Sequence, residues 1–151
     1  IVGGGRFGTR LMTELREKRG LTYGAGTFLA SGMLGESYQG RLSASNADVD
    51  QVIDLIRTEW DKLADKGVTK AELQRIQTYL TGAYPLRFDG NGAIARIMAS
   101  MQFQGFGVEY VNIRNDLIDA VTLDEANAVA KRLYRPDALS FIVVGGAGQV
   151  N

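Results

Sequence analysis

The chain has 151 residues and carries 17 Lys plus Arg against 17 Asp plus Glu, so its formal net charge is zero. This balance argues against a general nucleic-acid-binding protein, which usually has a basic surplus. The absence of both His and Cys excludes disulfides, a Ser-His-Asp triad and the usual zinc sites, which are built from imidazole and thiolate ligands.

The first predicted elements are a helix and a β-hairpin. Residues 7–18 show the apolar spacing of one helix face, and Gly20 suits the end of that helix. Residues 21–30 and 33–43 are rich in small, aromatic and β-compatible side chains, which predicts two strands with a turn at residues 31–32. A short connection between two such strands favours an antiparallel hairpin.

The middle of the chain predicts a series of amphipathic helices. Apolar residues recur at steps of three and four in five successive segments, residues 49–63, 69–84, 94–101, 110–120 and 122–133. Two helix starts have the spacing of a capping box, in which each side chain binds the backbone amide of the other residue. These pairs are Thr69 with Glu72 and Thr122 with Glu125.

The last predicted element is a strand. Residues 139–144 are apolar except for Ser140 and are rich in β-branched side chains, and they end at Gly145. The order of elements indicates an α+β fold, with an antiparallel sheet packed against several helices. Because three strands are few for so many helices, we expect residues 1–151 to form a single domain that is truncated at its N-terminus, with a further strand upstream of Ile1.

Three short motifs resemble known sites, but each lacks a necessary part. Ile1–Gly4 matches the N-terminus of an activated trypsin-like protease, but the chain has no His for its triad. Gly3, Gly5 and Gly8 fit the G-x-G-x-x-G pattern of dinucleotide sites, but no acidic residue follows about 20 positions later. Residues 89–92 indicate a turn and not a calcium loop. No metal ligand set is therefore predicted within this chain.

A dense set of charges precedes Gly20, and a strand that carries Tyr23 follows it. By itself this pattern fits a purely structural role. Cations near a helix C-terminus interact favourably with the helix dipole, and the tyrosine can simply pack against neighbouring residues. The residues alone therefore leave the purpose of the charged segment open.

Residues 4–23 resemble the pitrilysin/insulinase family of zinc metallopeptidases. That family includes the mitochondrial processing peptidase and the core subunits of respiratory complex III. Its members carry a pattern like G-G-x-F-x-x-R-L-x-x-x-L-R-x-x-x-x-L-x-Y, which stands here as GGRFGTRLMTELREKRGLTY. The helix pair over 49–63 and 69–85 and the closing segment 139–146 extend the likeness over essentially the whole chain.

The resemblance implies a particular half of such an enzyme. Family enzymes pair two similar α+β halves around a closed chamber. One half holds zinc through H-x-x-E-H and a distal Glu, and the other carries an Arg and a Tyr seven positions apart. Arg16 and Tyr23 match that pair by spacing and neighbours, whereas Arg19 lies only four positions before Tyr23. Because this chain has no His, it resembles the non-zinc half, and zinc is expected in a partner domain or subunit.

The resemblance also implies the roles of the two residues. Tyr23 is expected to be catalytic, donating its phenol hydrogen to the scissile carbonyl, and Arg16 and Tyr23 are expected to bind the peptide substrate. Neither residue can hydrolyse a peptide alone, so we expect no activity from the isolated chain. Gly3–Gly5 lies where the non-catalytic subunit of the processing peptidase has a longer glycine-rich loop, but it is too short to be assigned that loop's role.

Two alternatives stand beside this hypothesis. One is a structural relative without a proteolytic role, like the complex III core subunits. The other is an unrelated α+β binding module whose motif match is due to chance. Under the first hypothesis the expected partners are a zinc-bearing domain or subunit of the same family, a peptide substrate and, through an exposed sheet edge, a second copy of the chain.

The sequence also limits where the protein resides. No apolar run approaches the roughly 20 residues that a membrane-spanning helix requires. We therefore expect a soluble protein without a membrane span and without a nucleic-acid partner. A bacterial periplasm or cytoplasm is a more plausible location than an organelle.

Overall fold

The computed structural model describes residues 1–4, 8–32 and 35–145. Gly5 and Phe7 of the family pattern, and Met33 at the start of the second predicted strand, lie outside the described residues. The chain divides into two compact units. The first contains residues 1–67 and the chain from Ala128 onward, and the second contains Val68–Asn127.

The first unit begins with the predicted helix, and its buried side chains agree with the prediction. Met12–Glu17 is a π-helix, in which the Lys18 N–H donates to the carbonyl of Thr13 at 3.0 Å. Three apolar positions fit an α-helix and a π-helix equally well, so the apolar pattern cannot distinguish the two. The buried side chains are Leu11, Met12 and Leu15.

The predicted antiparallel hairpin is confirmed, but its first strand begins at Ala25 and not at residue 21, so Tyr23 lies before the strand and not on it. β1 (Ala25–Gly32) pairs with β2 (Gly35–Leu42), and the register runs from Ala25 opposite Leu42 to Gly32 opposite Gly35. The predicted turn at residues 31–32 is wrong, because both residues continue β1 and the connection falls at residues 33–34, outside the described chain. A Ser-Gly composition permits a turn, but the backbone pairing of the two strands decides where the turn falls.

One face of the hairpin packs against α1 (Val49–Lys66) through aromatic rings. The ring of Tyr38 stacks on the buried Trp60 with centroids 6.0 Å apart, and Tyr134 meets Trp60 edge-on at 5.1 Å. The Tyr38 hydroxyl donates to Thr27 Oγ1 at 2.8 Å, which ties this cluster to β1. Aromatic pairs of this kind contribute about 0.5–1.5 kcal/mol each beyond their buried area.

The predicted strand at residues 139–144 is wrong for this structure. No strand is assigned between Leu139 and Gly145, all of which the structure describes. Ile142 and Val144 are 92% and 93% exposed. A strand requires a hydrogen-bonded neighbour, so β-branched composition cannot produce one without a partner. The sheet of the described chain therefore has two strands, and the chain combines this antiparallel sheet with several helices, which is an α+β composition.

The remaining helices follow the predicted order. They are α2 (Lys70–Ala83), α3 (Asn91–Phe103), α4 (Tyr110–Asp119) and α5 (Leu123–Leu133). Both predicted capping boxes are present. The Thr69 N–H donates to the Glu72 carboxylate at 2.8 Å, and the Glu72 N–H donates back to Thr69 Oγ1 at 3.2 Å. The pair Thr122 and Glu125 repeats this arrangement.

Of the helices in the described part of the chain, none combines the length and the apolar character needed to cross a membrane.

We expect the chain to associate with itself through its first unit. Leu29 on β1 is 74% exposed, and within the described residues β2 pairs with β1 alone. An exposed strand edge with apolar neighbours favours pairing with another chain. Sedimentation at several concentrations should show a mass that rises with concentration, and Leu29→Lys should reduce the rise. A strictly monomeric wild-type chain would contradict this expectation.

Candidate functional site

Arg16 and Tyr23 meet at the surface of the first unit. The guanidinium carbon of Arg16 lies 5.1 Å from the centroid of the Tyr23 ring, within the range of a cation–π interaction. Tyr23 is 89% exposed, and Arg16 is half-buried. The structure therefore brings the two predicted site residues to one surface and keeps the tyrosine outside the core.

The chain reverses between these two residues at Gly20. This glycine has a φ of +65°, a conformation that L side chains rarely adopt. Its N–H donates to the carbonyl of Arg16 at 2.9 Å, and the Leu21 N–H donates to the carbonyl of Leu15 at 2.8 Å. These paired bonds close the end of the π-helix in the manner of a Schellman motif with one extra residue. The helix end expected at Gly20 is thus confirmed, and the turn there leads the chain from Arg16 to Tyr23.

The competing arginine, Arg19, is held elsewhere. Its guanidinium donates to the main-chain carbonyl of Glu14 at 2.9 Å and to the carboxylate of the same residue at 2.6 Å. Lys18 donates to the other carboxylate oxygen of Glu14. The hydrogen bonds from Lys18 and Arg19 hold the pKa of Glu14 below its ordinary value, so this carboxylate keeps its charge and retains both cations. Arg16 is therefore the arginine that lies over Tyr23.

The sequence interpretation did not single out Thr22, which lies in the same segment. Thr22 is only 7% exposed, although it directly precedes the exposed Tyr23. Its hydroxyl oxygen accepts the Gly24 N–H at 3.1 Å and lies 2.7 Å from the carbonyl of Ser43, to which it donates. A threonine two residues before a glycine is a signal for such a side-chain turn, and this signal could have identified Thr22 from the sequence.

The sequence model of one family, described as "Peptidase M16 inactive domain", matches residues 1–80. The match covers more than half of the chain and includes Arg16 and Tyr23. This chain belongs to the peptidase M16 inactive-domain family. The membership confirms the resemblance to the pitrilysin/insulinase-type peptidases and to their non-zinc half, and it shows that the hypothesis of an unrelated binding module is wrong.

Two sequence relatives of this M16 domain have names that imply different activities. It is 33% identical over 147 residues to the uncharacterized zinc protease SCO5738 of Streptomyces coelicolor, covering 92% of this chain and 30% of that protein. It is 24% identical over 144 residues to the non-peptidase homolog YmxG of Helicobacter pylori, covering 95% of this chain and 33% of that protein. The chain thus spans about a third of the length of these relatives.

A solved structure has the same fold. The peptidase M16 inactive domain from Pseudomonas fluorescens matches this chain with a TM-score of 0.76 and 27% sequence identity. The match covers 91% of this chain and 32% of that one. This likeness supports the α+β assignment made from the order of the helices and strands.

The described residues of this M16 domain do not fit a zinc ion. Among residues 1–4, 8–32 and 35–145, no three Asp or Glu side chains lie close enough together to hold a metal, and the chain has no His or Cys. Carboxylates alone select zinc poorly. A zinc ion implied by the family therefore has no site in the described part of this chain.

We accordingly expect the isolated chain to bind no zinc tightly. Metal analysis after incubation with zinc and exhaustive dialysis should find far less than one zinc per chain. A known zinc protein carried through the same dialysis provides the control. One zinc per chain, bound with submicromolar affinity, would show this expectation to be wrong.

Proposed function

We propose that this chain is the substrate-binding half of a zinc-dependent endopeptidase assembly. In this proposal Arg16 and Tyr23 act on a peptide that is also bound by a zinc-bearing domain or subunit of the same family. The observation that supports the proposal most strongly is the contact between Arg16 and the exposed Tyr23. The guanidinium carbon of Arg16 lies 5.1 Å from the centroid of the Tyr23 ring. Family membership and the zinc-protease relative add support.

Tyr23 has the features of a transition-state hydrogen-bond donor. Its side chain is 89% exposed, so a bound peptide can reach the phenol hydroxyl without a change in the core. In the proposal, this hydroxyl donates to the scissile carbonyl oxygen as negative charge develops on it. A donor that is already in place needs no reorganisation at the moment of reaction, which is why such groups lower the barrier efficiently.

Arg16 has the features of a substrate-positioning group. Its guanidinium lies over the Tyr23 ring at the same surface, and a planar guanidinium is suited to binding a carbonyl or a carboxylate. In the proposal Arg16 donates to such a group of the peptide, and bonds from a charged donor are stronger than neutral ones. The proposal therefore assigns Arg16 to binding and Tyr23 to both binding and catalysis.

The assembly needs a second component, because the described residues hold no zinc site. Zinc held by the partner half would supply an activated water, and this chain would supply the two side chains described above. We also propose that residues 1–151 function as one domain of a larger peptidase subunit. The two relatives named above are about three times as long as the region that this chain matches. A protein of that length has room for a zinc-bearing half in addition to this domain.

Complementation of the two halves tests the proposal. The chain is mixed with a zinc-bearing half from the same polypeptide or the same gene neighbourhood, and hydrolysis of a fluorescence-quenched peptide library is measured. We expect hydrolysis from the zinc-loaded complex and none from this chain alone. A verified, zinc-loaded complex that hydrolyses no peptide would refute the proposal.

That negative outcome would favour a second candidate function, a structural subunit without a proteolytic role. The observation that supports this candidate is the likeness to YmxG, which is named a non-peptidase homolog. The retained Arg16–Tyr23 contact favours the proteolytic role, because a purely structural subunit has no need of an exposed phenol beside a guanidinium.

Arg16→Ala is expected to raise KM by about 10-fold or more while kcat changes less, because a hydrogen bond from a charged group contributes about 1.5–3 kcal/mol to binding. Steady-state kinetics of the complex measure both constants. Arg41→Ala is the matched control, since the Arg41 guanidinium also lies over a ring, 5.2 Å from the centroid of Phe28. A loss confined to kcat would show that Arg16 acts in the transition state instead.

A further inference from the structure

We propose that Thr22 is a positioning residue that holds Tyr23 in the orientation needed to reach a substrate carbonyl. This inference rests on the proposed function, because that function makes Tyr23 a hydrogen-bond donor to the substrate. The two neighbours have opposite environments, since Thr22 is 7% exposed and Tyr23 is 89% exposed. The side chain of Thr22 is therefore buried, while the side chain of Tyr23 projects into solvent.

The hydroxyl of Thr22 closes a turn around Tyr23. Thr22 Oγ1 accepts the N–H of Gly24 at 3.1 Å, so Tyr23 is the central residue of a side-chain-closed turn. The same hydroxyl donates to the carbonyl of Ser43 at 2.7 Å, and the carbonyl of Gly24, at 2.9 Å, is the alternative acceptor. Because Ser43 directly follows β2, one side chain shapes the turn and also ties it to the base of the hairpin.

The ends of the same segment are fixed to the π-helix that carries Arg16. The Leu21 N–H donates to the carbonyl of Leu15 at 2.8 Å, and the Ala25 N–H donates to the sulfur of Met12 at 3.3 Å. Hydrogen bonds therefore hold both ends of this segment. Between them, the hydroxyl of the buried Thr22 determines the orientation of the turn that contains Tyr23. A displacement of about 1 Å in a catalytic group can cost on the order of 10²-fold in rate.

Two substitutions separate the hydroxyl from the shape of the side chain. Thr22→Val has nearly the same shape but removes the hydroxyl, so the Gly24 N–H and the Ser43 carbonyl lose this partner. Thr22→Ser keeps the hydroxyl and removes only a methyl group. A positioning role predicts that serine rescues function, whereas a role in filling space predicts that valine does.

The kinetic test uses the complex with the zinc-bearing half. We expect Thr22→Val to lower kcat by about 10-fold or more with little change in KM, because the phenol is displaced from the reacting carbonyl. Thr22→Ser should stay within about threefold of the wild-type kcat. Rates are divided by the folded fraction at the assay temperature. A Thr22→Val complex with wild-type kcat, or a Thr22→Ser complex that is equally impaired, would overturn the proposal.

A measurement without catalysis separates this inference from the proposed function. In the full chain, NMR cross-peaks between the Arg16 side chain and the Tyr23 ring should be present in the wild type and in Thr22→Ser and lost in Thr22→Val. Cross-peaks that persist in all three would refute the positioning role. If they are lost in Thr22→Val but Tyr23→Phe keeps full turnover, the positioning role stands and the proposed function fails.

Should Thr22→Val fail to fold, amide hydrogen exchange decides the question in the wild type and Thr22→Ser. The Gly24 N–H should be protected in both, because the hydroxyl oxygen accepts it. Exchange of Gly24 at the rate of an unstructured amide in either protein would contradict the turn, and with it the positioning role.

Discussion

The Tyr23→Phe variant should lower the turnover of the complex with the zinc-bearing half by about 10²-fold, because the loss of one oxyanion donor typically costs 10²–10³-fold. The substitution keeps the aromatic ring, so the Arg16 guanidinium retains its stacking partner. Since Tyr23 is 89% exposed, removing its hydroxyl should change the free energy of unfolding by less than about 0.5 kcal/mol.

Single-turnover kinetics of the complex measure the effect on the chemical step. Tyr79→Phe is the matched control, because Tyr79 is also exposed, at 54%, and lies on α2 in the second unit. The control should keep wild-type turnover. If Tyr23→Phe keeps full turnover in a verified complex, the phenol is not a catalytic donor, and the structural subunit becomes the better explanation.

The Leu15→Ala variant should lower the free energy of unfolding by about 2–5 kcal/mol, the usual cost of removing a fully buried leucine side chain. Leu15 is 0% exposed and lies in the π-helix directly before Arg16. Its carbonyl accepts the Leu21 N–H, so the residue supports the start of the segment that leads to Tyr23. Loss of its side chain should therefore destabilise the unit and loosen the site.

Urea denaturation followed by circular dichroism measures this effect. Leu86→Ala is the control for the loss of the same atoms at an exposed position, since Leu86 is 78% exposed. It should change the unfolding free energy by less than about 0.5 kcal/mol. If the two variants were equally stable, the π-helix would not be packed within the first unit as the structure shows.

Local features of the fold could be predicted from the sequence. The capping box at Thr69 and Glu72 was predictable because it depends on two side chains three residues apart. The strand predicted at residues 139–144 was wrong because a strand depends on a neighbour, which composition does not supply. The π-helix was missed because Met12 and Leu15 are buried in either helix type.

The candidate site also depends partly on local sequence features, which could be predicted, and partly on contacts between residues, which could not. The spacing of Arg16 and Tyr23 suggested a pair, but their contact depends on the reversal at Gly20 and on the side-chain conformation of Arg16. The role of Glu14 in holding Arg19 was not predictable, because it depends on the rotamers of two long side chains.

Membership of the family does not by itself decide whether the chain takes part in catalysis. One relative is named a zinc protease and another a non-peptidase homolog, and both match over most of this chain. The decision therefore depends on individual residues, and the residues that we propose for this role are Arg16 and Tyr23. Their removal is the most informative change that can be made.

The most direct test of the central claim is the turnover of the zinc-loaded complex that carries the double variant Arg16→Ala/Tyr23→Phe. The complex should form with an unchanged mass and an unchanged zinc content, because neither residue is a metal ligand and Tyr23 lies outside the core. We predict that turnover falls by at least about 10²-fold relative to the wild-type complex. Wild-type turnover in the double-variant complex would contradict the claim that this chain supplies catalytic and substrate-binding residues.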